Sequence, residues 1–404
     1  MKSSRRSFLE AGLALPAVFS AVPAPTATSR AGEVGDRKDS SFDPWVEIHR
    51  ENLWHNVREV SRRAGARPIL AVVKNNGYGM GVANVAQLVE PQSEIFGFAV
   101  VKFHEAMSLR DAGVQKPVLL MGPFDDKNLE DAAARNIMPM VYTRVGPAME
   151  KIAAKLERPV PLHVSVDTGI GRVGVPYRQA GTLIRDLAGR KSIHIQGTMM
   201  TFAEDMDFDK EQLRRFEQTC SALGKEGIAL GKKHAASSFA LFEHPDAFLD
   251  MVRPGMAIYG IYSENEFRHT GVMDLRPAIS LKARVAYVKK LPKGESAGYN
   301  RAYLAKDDVW VATLPVGHAD GWPRAAAKGA KVRINGELFP VVASVSASHC
   351  IVEIGREERV KIGDTATLFD GQQGSRPEDV SEACGASVYD LTMHLAALLP
   401  RKMV

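Results

Sequence analysis

Cysteine is scarce in this chain of 404 residues, which has only Cys220, Cys350 and Cys384. Their spacing matches no metal-binding motif. A chain of this length can bury a large apolar core without cross-links, so we expect small core or surface thiols rather than disulfides. No carboxylate-plus-histidine spacing is present either. His163, His194 and His234 are therefore interpreted as structural, and no metal site is predicted.

The chain also lacks a strong charge excess and a long apolar run. Of the net charge of +5, residues 1–31 carry +3, which leaves +2 for the remainder. This excess is too small to indicate a nucleic-acid partner or a membrane surface. The apolar stretch from Ala11 to Val22 is too short and too interrupted by proline to span a bilayer. We therefore expect no nucleic-acid partner and, once the export signal described below has acted, no membrane association.

The N-terminal residues are typical of a targeting segment. Arg5 and Arg6 precede the modest apolar stretch, which is the pattern of a twin-arginine export signal. We assign residues 1–31 to this signal and 32–44 to a linker, and we expect a periplasmic or otherwise exported protein. A disordered basic tail is the alternative. Because this route carries folded proteins, it suits a protein that acquires a cofactor before export.

One stretch after the linker has the residue types of a cofactor site. Ile69–Val73 is a largely β-branched apolar run that predicts a buried strand, and it ends at Lys74. Three glycines and Tyr78 follow, at Gly77, Gly79 and Gly81. A desolvated lysine at the carboxyl end of a strand can act as a Schiff-base nucleophile, and glycines let backbone N–H groups approach a phosphate. The pattern suggests pyridoxal 5'-phosphate. A lysine that merely extends to water is the alternative.

Strands and helices alternate from residue 45 to 275. An amphipathic helix is predicted at Arg50–Ala64. The strand candidates of the following region are Ile69–Val73, Phe96–Val100, Val118–Met121, Met138–Val141, Leu162–Val166, Ile193–Met200, a weak one near His234, and Met256–Tyr259. Eight strands with intervening helices indicate a (β/α)8 TIM-like barrel within an α/β fold class. An open doubly wound sheet is the rival, but no G-x-G-x-x-G motif opens it.

Residues 276–404 have the texture of a mainly β domain. The strand candidates are Leu281–Leu291, Val309–Leu314, Lys331–Ile334, Val341–Val345, Ile351–Ile354 and Ala366–Phe369. Turn signals separate them, among them Asn335-Gly336. Short helices are expected at Pro377–Glu382 and Ser387–Leu395. A barrel followed by a C-terminal β domain is the predicted architecture.

Several separated motifs resemble one family. They are Ala71–Gly81 (AVVKNNGYGMG), His163–Gly174 (HVSVDTGIGRVG), His234–Ser238 (HAASS), Met251–Gly260 (MVRPGMAIYG), Gly298-Tyr299, Leu314–Arg324 (LPVGHADGWPR), Tyr389-Asp390 and Leu399–Arg401 (LPR). In this order they resemble alanine racemase and its broad-specificity amino-acid racemase relatives, which are fold-type III pyridoxal-phosphate enzymes. The resemblance covers nearly everything from Trp45 onward. It implies a barrel, a β domain and a homodimer.

The resemblance implies a role for each matching residue. Lys74 would bind the cofactor aldehyde, Arg253 would face the pyridine nitrogen, and Arg172 would lie beside the cofactor hydroxyl. The phosphate would be held by Tyr78, Ser238, Gly255, Met256 and Tyr389. As a permanent donor, Arg253 would keep the ring nitrogen unprotonated, which favours return of a proton to Cα over side reactions.

The resemblance also implies two acid–base groups, one on each face of the substrate Cα. Lys74 would serve one face, and Tyr299 from the partner subunit would serve the other. An amine and a phenol both titrate near pH ~10, so both need lowered pKa values to act as bases at neutral pH. Nearby cations such as Arg172 are the expected cause.

The chain departs from the family pattern around the expected site. Ser165 stands where the family has a lysine that supports the arginine. Thr201 replaces a histidine, and Ser237 replaces an asparagine. Asn75 and Asn76 replace Ala-Asp after the lysine. The loss of these residues leaves open a poor enzyme, a pyridoxal-phosphate or amino-acid binding protein, or another Cα reaction such as aldol cleavage.

Two further departures concern the expected substrate pocket. Ala347 lies where the family has a methionine beside the substrate methyl, and His318 lies where an entrance tyrosine is usual. Removal of bulk at position 347 predicts a racemase for amino acids larger than alanine. Retention of both Lys74 and Tyr299 favours this interpretation over a binding protein, which has no physical need for the pair.

Overall fold

The computed structural model of the protein describes residues 41–404. The predicted export signal at 1–31, and the linker up to residue 40, lie outside the described residues. No helix between residues 41 and 404 is both long and apolar enough to cross a membrane.

The described chain opens with strand β1 (Trp45–Ile48) and helix α1 (Arg50–Arg63). In α1 the apolar side chains Leu53, Val57 and Val60 recur on one face, and all three are fully buried. The strand β1 pairs with two strands of the C-terminal sheet and with none of the barrel. The predicted barrel region, residues 45–275, included this strand, which instead belongs to the C-terminal sheet.

A parallel sheet with helices around it forms the barrel, as the sequence predicted. Its seven strands are β2 (Ile69–Val72), β3 (Ile95–Val100), β4 (Val118–Leu120), β5 (Ile137–Val141), β6 (Val160–Asp167), β8 (Ile193–Met199) and β9 (Lys232–His234), and the two-residue β7 (Val175–Pro176) pairs only with β6. The helical segments are α2 (Lys74–Tyr78), α3 (Val82–Val89), α4 (Phe103–Asp111), α5 (Asp126–Ala134), α6 (Gly146–Leu156), α7 (Tyr177–Ala188), α8 (Met206–Lys225) and α9 (Ser238–Glu243).

The eighth position of the barrel is filled by an irregular segment rather than by the predicted strand at Met256–Tyr259. Val252 and Pro254 accept hydrogen bonds from the N–H groups of Leu70 and Val72, both at 2.9 Å, which closes the barrel against β2. Pro254 has no N–H, so a regular ladder cannot continue past it. Met256–Tyr259 forms a fully buried 3-10 helix instead. Its apolar composition alone could not distinguish the two.

The C-terminal domain is mainly β, as predicted. Its strands are β10 (Ile279–Arg284), β11 (Tyr287–Leu291), β12 (Ser296–Ala297), β13 (Tyr303–Leu304), β14 (Val309–Leu314), β15 (Lys331–Ile334), β16 (Glu337–Val342), β17 (Cys350–Gly355), β18 (Thr365–Phe369) and β19 (Arg401–Met403), with helices α10 (Pro377–Cys384) and α11 (Val388–Met393). Nine strands form one sheet in the order β11-β14-β17-β16-β15-β18-β10-β1-β19, and β12 pairs with β13.

The sequence predicted one turn of this domain correctly and one strand incorrectly. The predicted turn at Asn335-Gly336 joins β15 to β16, and both residues have positive φ, as a tight hairpin requires. The predicted strand Leu281–Leu291 is two strands, β10 and β11, which pair with different neighbours. Further 3-10 turns lie at Pro245–Phe248, Asn265–His269, Tyr299–Arg301, His318–Asp320 and Arg324–Lys328.

Candidate active site

Lys74 lies at the carboxyl end of the fully buried strand β2, at the edge where barrel proteins build their sites. Its pKa is lowered from the ordinary value of a lysine. Burial is the largest cause, followed by the positive charges of Arg172 and Arg253, while the carboxylate of Glu105 opposes them. More of this amine is therefore unprotonated at neutral pH than of an ordinary lysine.

The residues after Lys74 form a left-handed turn. The φ angles of Asn75, Asn76, Gly77 and Tyr78 are 54°, 56°, 59° and 51°. Asparagine tolerates this region better than most residues, which gives the Asn75-Asn76 pair a physical reason. At Gly79, where φ is 92°, an added Cβ would meet the carbonyl oxygen of Thr392 at 2.2 Å, so α11 packs directly on the turn.

Ser238, Gly255 and Met256 form a cradle of polar backbone at the barrel edge. The Oγ of Ser238 accepts from the N–H groups of Gly255 (3.0 Å) and Ala257 (3.1 Å). The N–H of Met256 lies at the first position of a helix, where no intrahelical acceptor exists. A Cβ at Gly255 would lie 2.2 Å from the Tyr78 hydroxyl oxygen. Only a glycine leaves this close approach open.

The Tyr78 phenol meets this cradle at Gly255, and the Tyr389 phenol lies beside Tyr78. The ring of Tyr78 lies 4.5 Å from that of Tyr259 and 6.5 Å from that of Tyr389. Burial raises the pKa of Tyr78, with a further contribution from Tyr389. Burial, and then the charges of Glu204 and Glu264, raise the pKa of Tyr389 to about 12. Both hydroxyls therefore stay protonated and can donate to an anion.

A buried chain of hydrogen bonds fixes Arg253. Its Nη1 lies 2.8 Å from His234 Nδ1, and His234 Nε2 lies 2.9 Å from His163 Nδ1. An arginine only donates, so His234 Nδ1 accepts and His234 Nε2–H donates to His163. The proton of His163 is then on Nε2, which is buried and has no partner within residues 41–404. Arg253 thus orders both imidazole tautomers.

The protonation states of these three hydrogen-bonded residues follow from the same burial. The pKa of His163 is lowered to about 3, by burial first and then by Arg253, and that of His234 is lowered well below its usual value for the same reasons. The pKa of Arg253 falls to about 10, by burial and then by Arg172. At neutral pH a charged guanidinium therefore rests on two neutral imidazoles.

Arg253 is also held from the other side. Its Nη2 donates to the carbonyl of Met200 at 3.0 Å and to the hydroxyl of Thr201 at 3.3 Å. These contacts and the one to His234 use three of the five guanidinium N–H groups, which leaves donors for a ring nitrogen.

Arg172 lies on an exposed glycine-rich loop after β6. Asp167 organises this loop, because its Oδ1 accepts from the N–H groups of Gly169 (2.8 Å) and Gly171 (3.2 Å). The Arg172 charge acts on Lys74, Arg253 and Glu204. Ser165, at the position where the resemblance implies a lysine beside Arg172, is buried near the end of β6.

Besides Tyr389, three of the predicted site residues lie in the β domain. Tyr299 is 73% exposed, Ala347 is also exposed, and His318 Nε2 accepts from Arg324 at 2.9 Å. Within residues 41–404 of one chain, no hydrogen bond, ion pair or ring contact joins any of the three to Lys74. A single chain therefore assembles the cofactor side of the site and leaves these residues outside it.

Comparison with known proteins agrees with this geometry. The family models described as "Alanine racemase, N-terminal domain" and "Alanine racemase, C-terminal domain" match residues 48–263 and 278–403. The chain is 31% identical over 366 residues to alanine racemase of Clostridium tetani, covering 88% of this chain and 94% of that protein. With alanine racemase of Methanococcus maripaludis the identity is 32%, covering 88% and 97%.

Solved structures give the same result. Alanine racemase of Clostridium difficile 630 superposes with a TM-score of 0.83 at 28% identity, covering 90% of this chain and 96% of that one. The enzyme from the D-cycloserine producer Streptomyces lavendulae gives a TM-score of 0.84 at 26% identity, covering 90% and 97%. This chain belongs to the alanine racemase family.

Alanine racemases use pyridoxal 5'-phosphate, and the residues of this family member fit that group. Glycine at position 255 lets the protonated phenol of Tyr78 lie against the polar cradle, where it could donate to a phosphate. Lys74 would supply the amine for the aldehyde, and Arg253 would supply fixed donors for the ring nitrogen. Tyr389, Ser238 and the Met256 N–H would complete the donors around the phosphate.

Sequence reasoning missed several residues of this racemase-like site. It assigned His163 and His234 a structural role, whereas they orient Arg253. The period of two along β6 puts His163, Ser165 and Asp167 on one face, and this signal could have placed His163 near the cofactor. Thr201 was noted only as a lost histidine, although its hydroxyl accepts from Arg253. No three His, Cys, Asp or Glu side chains converge as a metal site within residues 41–404.

Proposed function

We propose that this protein is a pyridoxal-phosphate-dependent amino-acid racemase with two acid–base groups, one on each face of the substrate Cα. The observation that carries the proposal is the Lys74 amine, whose pKa is lowered at the carboxyl end of β2 beside two guanidinium groups. The cofactor, when bound, withdraws electrons from the substrate and makes the Cα proton removable. The residues of the chain then decide where that proton goes.

Lys74 takes the Cα proton from one face or delivers one there, since its lowered pKa makes its Nζ a base more often than that of an ordinary lysine. Tyr299 of the partner subunit does the same on the opposite face, and the two groups exchange roles between the enantiomers. The 73% exposure of Tyr299 in the single chain supports a position at a subunit interface. A homodimer is therefore part of the proposal.

The proposed substrate is an amino acid larger than alanine. Ala347 supports this, because its small, exposed side chain stands where the family has a methionine. The Ala347→Met variant should shift the kcat/KM ratio towards alanine. An unchanged ratio would refute the role of this position.

Solvent deuterium exchange at Cα, measured with a panel of L-amino acids, tests the function. Exchange with inversion supports the racemase, and we expect it for side chains longer than that of alanine. Retro-aldol products would instead indicate an aldolase. Binding of the amino acid without exchange would indicate a binding protein. The Lys74→Ala variant, assayed in parallel, should exchange no substrate.

We also propose that the protein is exported in folded form by the twin-arginine route. The Arg5-Arg6 pair before a modest apolar stretch supports this. Fractionation of cells that express the wild type or a double Arg5→Lys, Arg6→Lys variant is the measurement. Equal periplasmic amounts of the two would contradict the proposal.

A further inference from the structure

Glu105 is a buried carboxylate to which none of the roles above is assigned. It lies in the first turn of α4 and is 3% exposed. Its Oε2 accepts from the N–H of Lys102 at 3.2 Å, which caps the helix. Its Oε1 leaves the helix and accepts from the N–H of Asn76 at 2.9 Å, in the centre of the left-handed turn. A residue needed only as a cap would have no reason to reach the turn.

The turn that Glu105 contacts is costly to hold. Three of its four residues, Asn75, Asn76 and Tyr78, are not glycine and still have left-handed φ angles, which are unfavourable for side chains in general and less so for asparagine. Such a conformation persists only where its surroundings fix it. The turn joins the Lys74 amine to the Tyr78 phenol. A change in its shape therefore moves both groups that face the cofactor.

Glu105 also carries a charge that Lys74 experiences. Among residues 41–404, the charged groups that act on the Lys74 amine are Arg172, Arg253 and Glu105, and of these only Glu105 is negative. Burial leaves little water to screen this carboxylate. Glu105 thus limits how strongly the two guanidinium groups repel a protonated Lys74.

We propose that Glu105 is a positioning residue of the active site, which fixes the left-handed turn through the Asn76 N–H and offsets the two guanidinium charges at Lys74. This inference rests on the proposed function only in its prediction for kcat. Its predictions for the pH profile of Lys74 labelling and for cofactor affinity hold for any reaction at this site.

Two variants separate position from charge. Glu105→Asp keeps the carboxylate but is one methylene too short to reach both Lys102 and Asn76. Glu105→Gln keeps the reach to Asn76 through its carbonyl but removes the charge. The first readout is the pyridoxal-phosphate dissociation constant, measured by absorbance titration of cofactor-depleted full-length protein. The second is the pH profile of Lys74 labelling by an amine-reactive reagent, measured by peptide mass spectrometry.

In Glu105→Gln the midpoint of Lys74 labelling should move to lower pH by roughly one unit, the lower end of what a nearby opposite charge produces. In Glu105→Asp the midpoint should stay, while the dissociation constant for the cofactor rises about tenfold through the lost hydrogen bond. If racemisation occurs, its kcat should also fall in Glu105→Asp.

Asp125→Asn is the matched control, because Asp125 caps the next helix by accepting from the Asn128 N–H and is exposed, with no contact to the turn. It should change neither readout. If both Glu105 variants match this control in labelling profile and cofactor affinity, the inference is overturned, even where the melting temperature falls. If both readouts shift but no amino acid exchanges its Cα proton, the inference stands and the proposed function fails.

Discussion

At the scale of single residues, Gly255 allows the Tyr78 phenol to pack against the polar cradle. A methyl group there would lie 2.2 Å from the Tyr78 hydroxyl oxygen and would displace the phenol. The sequence predicted Gly255 as a cofactor residue through a family motif, but the reason for glycine is a contact with a residue 177 positions earlier. No local pattern contains that information.

We expect Gly255→Ala to weaken pyridoxal-phosphate binding at least tenfold, because overpacking of about 1–3 kcal/mol falls on the Tyr78 hydroxyl. Absorbance titration of the cofactor measures this. Gly224→Ala is the control, since Gly224 lies within α8 with open space around its Cα. It should leave cofactor affinity unchanged. Equal affinity of the two variants would contradict the assigned role of Gly255.

His163 makes the stability of the protein sensitive to acid. Its pKa is 6.5 when unperturbed and about 3 in the folded chain. Below pH 6.5 the unfolded chain binds a proton at this residue and the folded chain does not. The free energy of unfolding therefore falls as the pH drops from 6.5 towards 3, by up to about 1.4 kcal/mol per pH unit for this group.

Urea unfolding at a series of pH values tests this. The His163→Leu variant lacks the group, so the slope of its unfolding free energy against pH should be smaller in that window. The difference should be at most the slope that one bound proton produces, about 1.4 kcal/mol per pH unit. His194→Leu serves as the control, because His194 is exposed on β8. A slope in His163→Leu equal to that of the wild type would show that His163 is protonated in the folded protein.

At the scale of elements, helix α8 holds two loops of the site. The side chain of the buried Gln212 accepts from the Ala203 N–H at 2.7 Å and donates to Thr168 Oγ1 and the Thr201 carbonyl, both at 3.2 Å. Thr168 begins the loop of Arg172, and Thr201 contacts Arg253. One side chain therefore joins the start of the Arg172 loop to the segment that contacts Arg253.

Gln212→Leu should lower the free energy of unfolding by about 1–3 kcal/mol, because it leaves buried polar groups unpaired. It should also weaken cofactor binding, since the loops of Arg172 and Thr201 lose their common anchor. Gln218→Leu on the exposed face of the same helix should change stability by less than about 0.5 kcal/mol. Chemical denaturation and cofactor titration measure both effects, and a stable, tightly binding Gln212→Leu would contradict them.

The elements also show where sequence reasoning succeeds. Strands such as β14 and β15 were predicted to the residue, because apolar alternation and the Asn335-Gly336 turn are local signals. The 3-10 helical conformation of Met256–Tyr259 could not be predicted, since a short buried run has no period that separates strand from helix. The membership of β1 in the C-terminal sheet could not be predicted either. It depends on pairing with β10 and β19, far along the chain.

At the scale of the whole molecule, the proposed site needs two chains. Lys74 lies within the barrel, whereas the exposed Tyr299 lies on the β domain and has no contact with it in the single chain described from residue 41 onward. In a symmetric dimer each site would then take its amine from one subunit and its phenol from the other.

Mixing two inactive variants distinguishes shared sites from separate ones. Dimers of Lys74→Ala with Tyr299→Phe would contain one site with both residues intact, so activity should return to about a quarter of the wild-type value after random exchange of subunits. If each site were built within one subunit, the mixture would stay inactive. Unmixed variants and a mixture without subunit exchange are the controls.

The left-handed turn has a chemical consequence for ageing of the protein. Asparagine before glycine is prone to spontaneous deamidation, in which the glycine nitrogen attacks the amide side chain, and this chain has two such pairs, Asn76-Gly77 and Asn335-Gly336. The Gly77 nitrogen is buried and engaged with the Val73 carbonyl, whereas the hairpin pair is exposed. Stored protein should therefore accumulate isoaspartate at the hairpin while the catalytic turn keeps its amide.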